Sequence, residues 1–190
     1  HIMGYTPYID FFVKADKKGI IRGKKIFLQH GIIKDNLTYL YNNNVNLDLF
    51  VCSAKPEYEY VKSLYGYKDN VVKMLGLCRY DALYKNEQPT KKVLLMPTWR
   101  YNLQGFVKSE YYKLYSNFLA SEKLKNVLEK YNYELLFYPH IEFQRFIDTF
   151  KGGERVKIVT FNDSTVQNLL IKSDVLITDF SSVFFDYGYM

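Results

Sequence analysis

Two histidines, an arginine and a serine pair each stand at the end of a short apolar segment. All are residue types that handle phosphate or a proton. His30 closes Lys25-Ile26-Phe27-Leu28-Gln29-His30, and Arg100 follows Val93-Leu94-Leu95-Met96 through Pro97-Thr98-Trp99. His140 follows Glu134-Leu135-Leu136-Phe137-Tyr138 through Pro139. Ser181-Ser182 close Asp174-Val175-Leu176-Ile177-Thr178-Asp179-Phe180 and precede an aromatic amphipathic run. An imidazole with a pKa near about 6.5 can accept a proton at neutral pH. A guanidinium pairs with phosphate oxygens through its planar fork. Hydroxyls at a helix start sit beside unpaired backbone N–H groups and suit phosphate, although the plain role of Ser-Ser there is an N-cap. One such residue means little, but four clusters together suggest an anionic ligand.

The elements that must position these groups alternate. Strands are expected at 25–30, 47–52, 71–76, 93–96, 134–138, 156–159 and in the apolar run before Asp179. Helices are expected at about 56–66, with Pro56 in the first turn, at 110–131, 141–150 and 165–173, and after Ser182. Strands separated by helices imply an α/β fold with parallel sheets covered on both faces. Such sheets bind ligands at the carboxyl ends of their strands, where all four clusters fall. Gly76-Leu77-Cys78-Arg79-Tyr80-Asp81, followed by polar Lys85-Asn86-Glu87-Gln88-Pro89, reads as a domain junction.

The chain has 190 residues, room for one large domain or two smaller ones. At 48% hydrophobic and 24% charged its composition is globular. No apolar run reaches the ~20 residues of a membrane-spanning helix, and the start is not a signal peptide. His1-Ile2-Met3 reads as a cloning remnant and is left out of the reading. The chain stops at Met190 inside an expected helix, as a piece of a longer protein would. The net charge of +6 favours anionic partners such as nucleotides, phosphate polymers or a membrane surface. There is no dense basic run or nucleic-acid motif, so nucleic acid is not an expected partner. Cys52 and Cys78 lie in apolar segments and read as buried free thiols. The 19 Tyr and 14 Phe are read mainly as packing, with some left for a membrane-facing or sugar-facing surface.

In this order, Leu28-Gln29-His30-Gly31, Gly76-x-x-Arg79-x-Asp81, Pro97-Thr98-Trp99-Arg100, Pro139-His140 and Leu176-Ile177-Thr178-Asp179-Phe180-Ser181-Ser182-Val183-Phe184-Phe185-Asp186 resemble the CDP-glycerol glycerophosphotransferase family of teichoic acid primases, polymerases and related capsule enzymes. The matches span residue 24 to the end. The resemblance implies a GT-B-like fold of two Rossmann-like parallel-sheet units facing a cleft, truncated here. Residues 1–79 would be the end of the acceptor-side domain and 80–190 the donor-nucleotide domain, incomplete at its C-terminus. Family members commonly carry His-Gly-Thr-Pro where this chain has His30-Gly31-Ile32-Ile33, and many have Pro at the place of Cys78. The first departure marks a subfamily with a different acceptor.

The reaction so implied moves glycerol phosphate from CDP-glycerol, or a related CDP-polyol, to an acceptor hydroxyl and releases CMP. His30 matches the family's proposed general base, and Gly31 keeps the backbone small beside the substrates. His140, the second catalytic candidate, would hold the pyrophosphate with Ser181 and Ser182. Arg100 either pairs with phosphate or holds the fold through a carboxylate such as Asp81. Ser164-Thr165-Val166-Gln167 has capping-box spacing before the 165–173 helix and reads as a cap, and Thr165 is a secondary phosphate candidate. Asp179 orders the Ser-Ser turn within the substrate site. Trp99 reads as packing. No cofactor and no metal are expected, because no Asp-x-Asp motif or ligand cluster is present. The acceptor would be lipid-linked or a glycan. Location would be cytoplasmic at the inner face of the cell membrane, with peripheral membrane contact through basic and aromatic surface residues. Two rivals stand beside this reading: a GT-B transferase using CDP-ribitol or a nucleotide sugar, and an inactive nucleotide-binding fragment.

Overall fold

The computed structural model describes residues 2–4, 10–84, 88–98, 100 and 105–190. Trp99 and Lys85-Asn86-Glu87 of the expected junction lie outside the described residues. The chain divides into two compact units, His1–Asp81 and Ala82–Met190. The sequence placed its boundary at 79/80.

Unit 1 runs β1 (Ile2–Gly4), α1 (Asp10–Lys17), β2 (Lys24–Phe27), β3 (Leu49–Cys52), α2 (Lys55–Leu64) and β4 (Val72–Met74). Its four strands are all parallel, in the order β1-β2-β3-β4. Ile2 and Met3, set aside in the sequence reading, pair with Lys24 and Lys25. An edge strand needs only backbone donors and acceptors, so a three-residue stretch suffices and leaves little sequence signal. The strand expected at 25–30 stops at Phe27, because Gln29 has φ 68°, a left-handed conformation that ends an extended strand. The core gathers Phe27, Phe50, Val61, Tyr65 and Val72, with Phe27 and Phe50 edge to face at 5.2 Å. Cys52 is buried here as expected. Cys78 is exposed, which corrects that half of the cysteine reading. It opens a 3-10 turn beyond the last strand, outside the sheet's apolar layer.

Unit 2 runs β5 (Lys92–Leu95), α3 (Glu110–Leu119), α4 (Glu122–Tyr131), β6 (Glu134–Phe137), a 3-10 segment Ile141–Thr149, β7 (Val156–Ile158), α5 (Val166–Ile171), β8 (Val175–Ile177) and α6 (Val183–Tyr189). The helix expected over 110–131 is two helices broken at Ala120-Ser121. Ser109 caps the first, accepting from Tyr112 N at 3.1 Å, and Asn132 closes the second in the left-handed region. The sheet is fully parallel, with order β7-β6-β5-β8. The first strand in sequence thus lies inside the sheet, two successors extend to one side, and the fourth returns to the other. This is the doubly wound arrangement, and its crevice opens where the order reverses, between the carboxyl ends of β5 and β8. Much of the Phe and Tyr content of this unit is core. Phe106 stacks on Phe146 at 4.4 Å and meets Phe143 and Phe150, while Phe137 packs on Phe150 at 5.0 Å.

Candidate functional site

The reversal point of the unit 2 sheet carries a connected polar cluster. After β5 the chain continues to Thr98 and Arg100, and after β8 to Thr178 and Asp179. Thr178 Oγ1 donates to Met96 O at 2.6 Å, tying the two strand ends together. One Asp179 oxygen accepts from Thr98 N at 2.9 Å and from the Thr98 hydroxyl; the other accepts from Arg100 Nη2 at 2.6 Å. Arg100 Nη1 also reaches Thr98 O at 3.3 Å, and its guanidinium lies 5.2 Å from the centre of the exposed Phe180 ring. Burial pushes the Asp179 carboxyl up, but the bonds from Thr98 and Arg100 outweigh it and hold the pKa below the ordinary value. Arg100 thus meets a carboxylate, that of Asp179, where the sequence reading had offered Asp81 as an example. The sequence could not pair residues 79 positions apart.

Ser181 and Ser182 follow this cluster directly. Ser181 Oγ accepts from Val183 N at 3.4 Å, a long contact, and the Ser182 side chain makes no cap bond to α6. Thr165 is the actual cap of α5, its Oγ1 accepting from Asn168 N at 3.2 Å. The capping frame thus begins one residue later than the Ser164-x-x-Gln167 spacing suggested. His140 lies half-buried after β6, next to β5 in the sheet, and Nδ1 accepts from Glu142 N at 3.3 Å. Burial lowers its pKa, with Glu142 opposing, so the neutral imidazole prevails at pH 7. A cap on Nδ1 leaves Nε2 to carry the proton and act as a donor.

His30 belongs to unit 1, in the loop after β2. Its side chain is exposed, yet nearby protein lowers its pKa, chiefly by desolvation and further through Arg79. Arg79 Nη1 donates to the His30 carbonyl. Gly31 is buried. The sequence reading missed Glu57, only 3% exposed, in the first turn of α2. Its carboxylate accepts from Gln29 Nε2 at 3.0 Å, Ile33 N at 2.7 Å and Ser53 N at 2.7 Å, and also from the Ala54 amide. The available signal was a Glu at the third helical position after Pro56, where a carboxylate reaches back to the N-cap amide.

A cavity of about 370 Å³ also opens in unit 2, lined by Tyr84, Tyr133, Tyr187 and Asp174 among others. It lies at the amino ends of the strands, where Asp174 accepts from Thr90 N and Lys91 N at 2.8 Å.

Tyr111 packs at 9% exposure within electrostatic reach of Asp179 and Arg100, and its hydroxyl has no hydrogen-bond partner among the described residues. Burial, then Tyr115 and Asp179, push its pKa up, so it stays neutral. A buried hydroxyl without a partner carries an uncompensated desolvation cost. Tyr111→Phe is expected to stabilise unit 2 by about 1 kcal/mol, read as a rise in Tm. A fall in Tm would show that the hydroxyl has a partner in solution.

No group of three or more His, Cys, Asp or Glu suited to a metal ion occurs among the described residues. No helix there is long and apolar enough to cross a membrane.

With this geometry in place, comparison with known proteins is specific. The family model described as CDP-Glycerol:Poly(glycerophosphate) glycerophosphotransferase matches residues 20–190. The minor teichoic acid biosynthesis protein GgaB of Bacillus subtilis (strain 168) is 40% identical over 180 residues, covering 86% of this chain and 20% of that protein. Solved structures of the wall teichoic acid polymerase TagF share the fold. One superposes with a TM-score of 0.56 at 21% identity, covering 87% of this chain and 47% of that one. A variant soaked with CDPG gives 0.55 at 22% identity, covering 87% and 46%. The chain thus spans about a fifth of the curated relative and just under half of the solved chains.

Proposed function

The chain belongs to the CDP-Glycerol:Poly(glycerophosphate) glycerophosphotransferase family, and on that premise we propose that the whole protein transfers glycerol phosphate from CDP-glycerol to an acceptor hydroxyl in teichoic acid synthesis. The observation that carries this reading is the set of phosphate-suited groups at the carboxyl end of the doubly wound sheet in unit 2.

In this scheme His30, neutral at pH 7, accepts the proton of the acceptor hydroxyl as its oxygen attacks the glycerol-bearing phosphorus. The bond from that phosphorus to the bridging oxygen breaks, and CMP leaves with the electron pair. His140 Nε2–H and the Ser181 and Ser182 hydroxyls hold the negative charge that develops. Arg100 braces the turn after β8 through Asp179, and with it Ser181 and Ser182, and Thr165 serves as a cap. Unit 1 is the acceptor side and unit 2 the donor side. The acceptor is lipid-linked or a glycan, and the protein works at the cytoplasmic face of the membrane, held there by basic and aromatic surface residues.

The test is CMP release by the full-length protein with CDP-glycerol, CDP-ribitol and UDP-glucose compared side by side, with a membrane or oligosaccharide acceptor and parallel EDTA reactions. Release from CDP-glycerol alone, unaffected by EDTA, is the expected result. Release only from another donor keeps the fold and overturns the substrate; release from none favours a binding module.

A further inference from the structure

We propose that Glu57 is the positioning residue for His30, holding the loop on both sides of the imidazole so that its backbone cannot relax away from the acceptor. The proposal rests on the reading of His30 as general base and goes beyond it, to what fixes that base in place.

The loop Gln29–Ile33 carries His30 and ends on Ile33, buried in the core of unit 1. It follows a four-residue strand, it departs from extended geometry at Gln29 (φ 68°), and His30 itself is exposed. A non-glycine residue in the left-handed region needs surrounding contacts to keep it there. Glu57 supplies them from the rigid first turn of α2. One oxygen, Oε1, takes both Gln29 Nε2 and Ile33 N, the residue before His30 and the second residue after Gly31. The other, Oε2, takes Ser53 N at the end of β3. The Ala54 amide completes the set. The carboxylate therefore ties the His30 loop, the end of β3 and the start of α2 to one point. Arg79 holds the loop from another direction through the His30 carbonyl.

The chemistry selects a carboxylate. Four N–H groups converge on one side chain, and only an ionised carboxylate offers acceptor sites for all of them. An amide of the same shape would turn its NH2 against N–H donors, leaving at least one of them unsatisfied. Glu57→Gln is therefore a sharper test than its near-identical size suggests.

The experiment is carried out on the full-length protein with Glu57→Gln and, separately, Gln29→Gly. The glycine variant accepts the positive φ without strain and removes only one of the four bonds, so it remains folded if the first variant does not. Hydrogen exchange is followed in peptides covering residues 28–34, and CMP release from CDP-glycerol gives kcat and KM. Glu57→Gln is expected to accelerate exchange at 28–34 while peptides of unit 2 keep their protection. It is expected to lower kcat by about 10- to 100-fold with KM for CDP-glycerol within about twofold, because the donor is held elsewhere. Gln29→Gly should show the same pattern, weaker. Unchanged exchange at 28–34, or an unchanged kcat in Glu57→Gln when the wild type turns over, overturns the positioning role. A rise in KM with kcat unchanged overturns it as well. A wild type that releases no CMP from any donor overturns the functional reading, and the catalytic part of this proposal falls with it.

Discussion

His30→Ala in the full-length protein is expected to lower kcat for CMP release by about 10²- to 10⁴-fold while leaving CDP-glycerol affinity nearly unchanged. The acceptor hydroxyl is a poor nucleophile at neutral pH, and the imidazole is the group proposed to take its proton. The residue belongs to unit 1, while the groups proposed to hold the donor belong to unit 2, so binding and chemistry should separate. His140→Ala is the contrasting variant: its imidazole is assigned to the pyrophosphate, and losing it should weaken donor binding as well as turnover. The pH profile carries a second signature. Burial and Arg79 hold the His30 pKa below about 6.5, so the base is deprotonated and active at pH 7. The acid limb of kcat/KM should therefore lie below about pH 6.5 and vanish from the residual activity of His30→Ala. Equal loss of donor affinity in both variants would dismiss the division of labour.

Asp179→Ala is expected to have the second-largest effect, on stability and donor binding together. The substitution strips acceptors from Thr98 N, the Thr98 hydroxyl and Arg100 at once. The Arg100 side chain is 39% exposed, so water replaces part of what is lost. The net cost is therefore placed at about 1–2 kcal/mol. The strand ends it joins also carry Ser181-Ser182, so KM for CDP-glycerol should rise about tenfold. Acid unfolding provides the check on cause. The folded pKa of Asp179 is held below its ordinary value near about 3.9. Its contribution is therefore present above that pH and is lost as the pH falls through the folded pKa. Wild type and variant should differ in stability at pH 7 and converge in strong acid. A gap that persists unchanged at pH 2 would assign the effect to packing rather than to the charge.

Legibility differed between the parts of this site for a physical reason. Alternating apolar runs and helical periodicity are local, so the strand cores at 49–52, 92–95, 134–137 and 175–177 could be read directly, with ends off by a few residues. The split of 110–131 was missed because Ala120 and Ser121 carry no Gly or Pro signal. The edge strand Ile2–Gly4 was missed because backbone pairing asks almost nothing of side chains. His30, His140 and Ser181-Ser182 stood out because motif residues sit at strand ends. The pairings that support them did not, because each joins residues far apart in the chain: Asp179 with Arg100, Glu57 with Gln29 and Ile33.

The parallel α/β architecture follows from periodicity along the chain, and the family from the resemblance of its ordered motifs, which also carry the residue types able to move a proton or hold a phosphate. Local sequence encodes strands, turns and motifs, and needs no knowledge of neighbours. Sheet order, and with it the reversal between β5 and β8, arises only when strands pair across dozens of residues. The partner of Arg100, the shift of the α5 cap to Thr165 and the carboxylate behind the His30 loop belong to that second level. A hydrogen bond depends on distance in space, and distance along the chain does not set it.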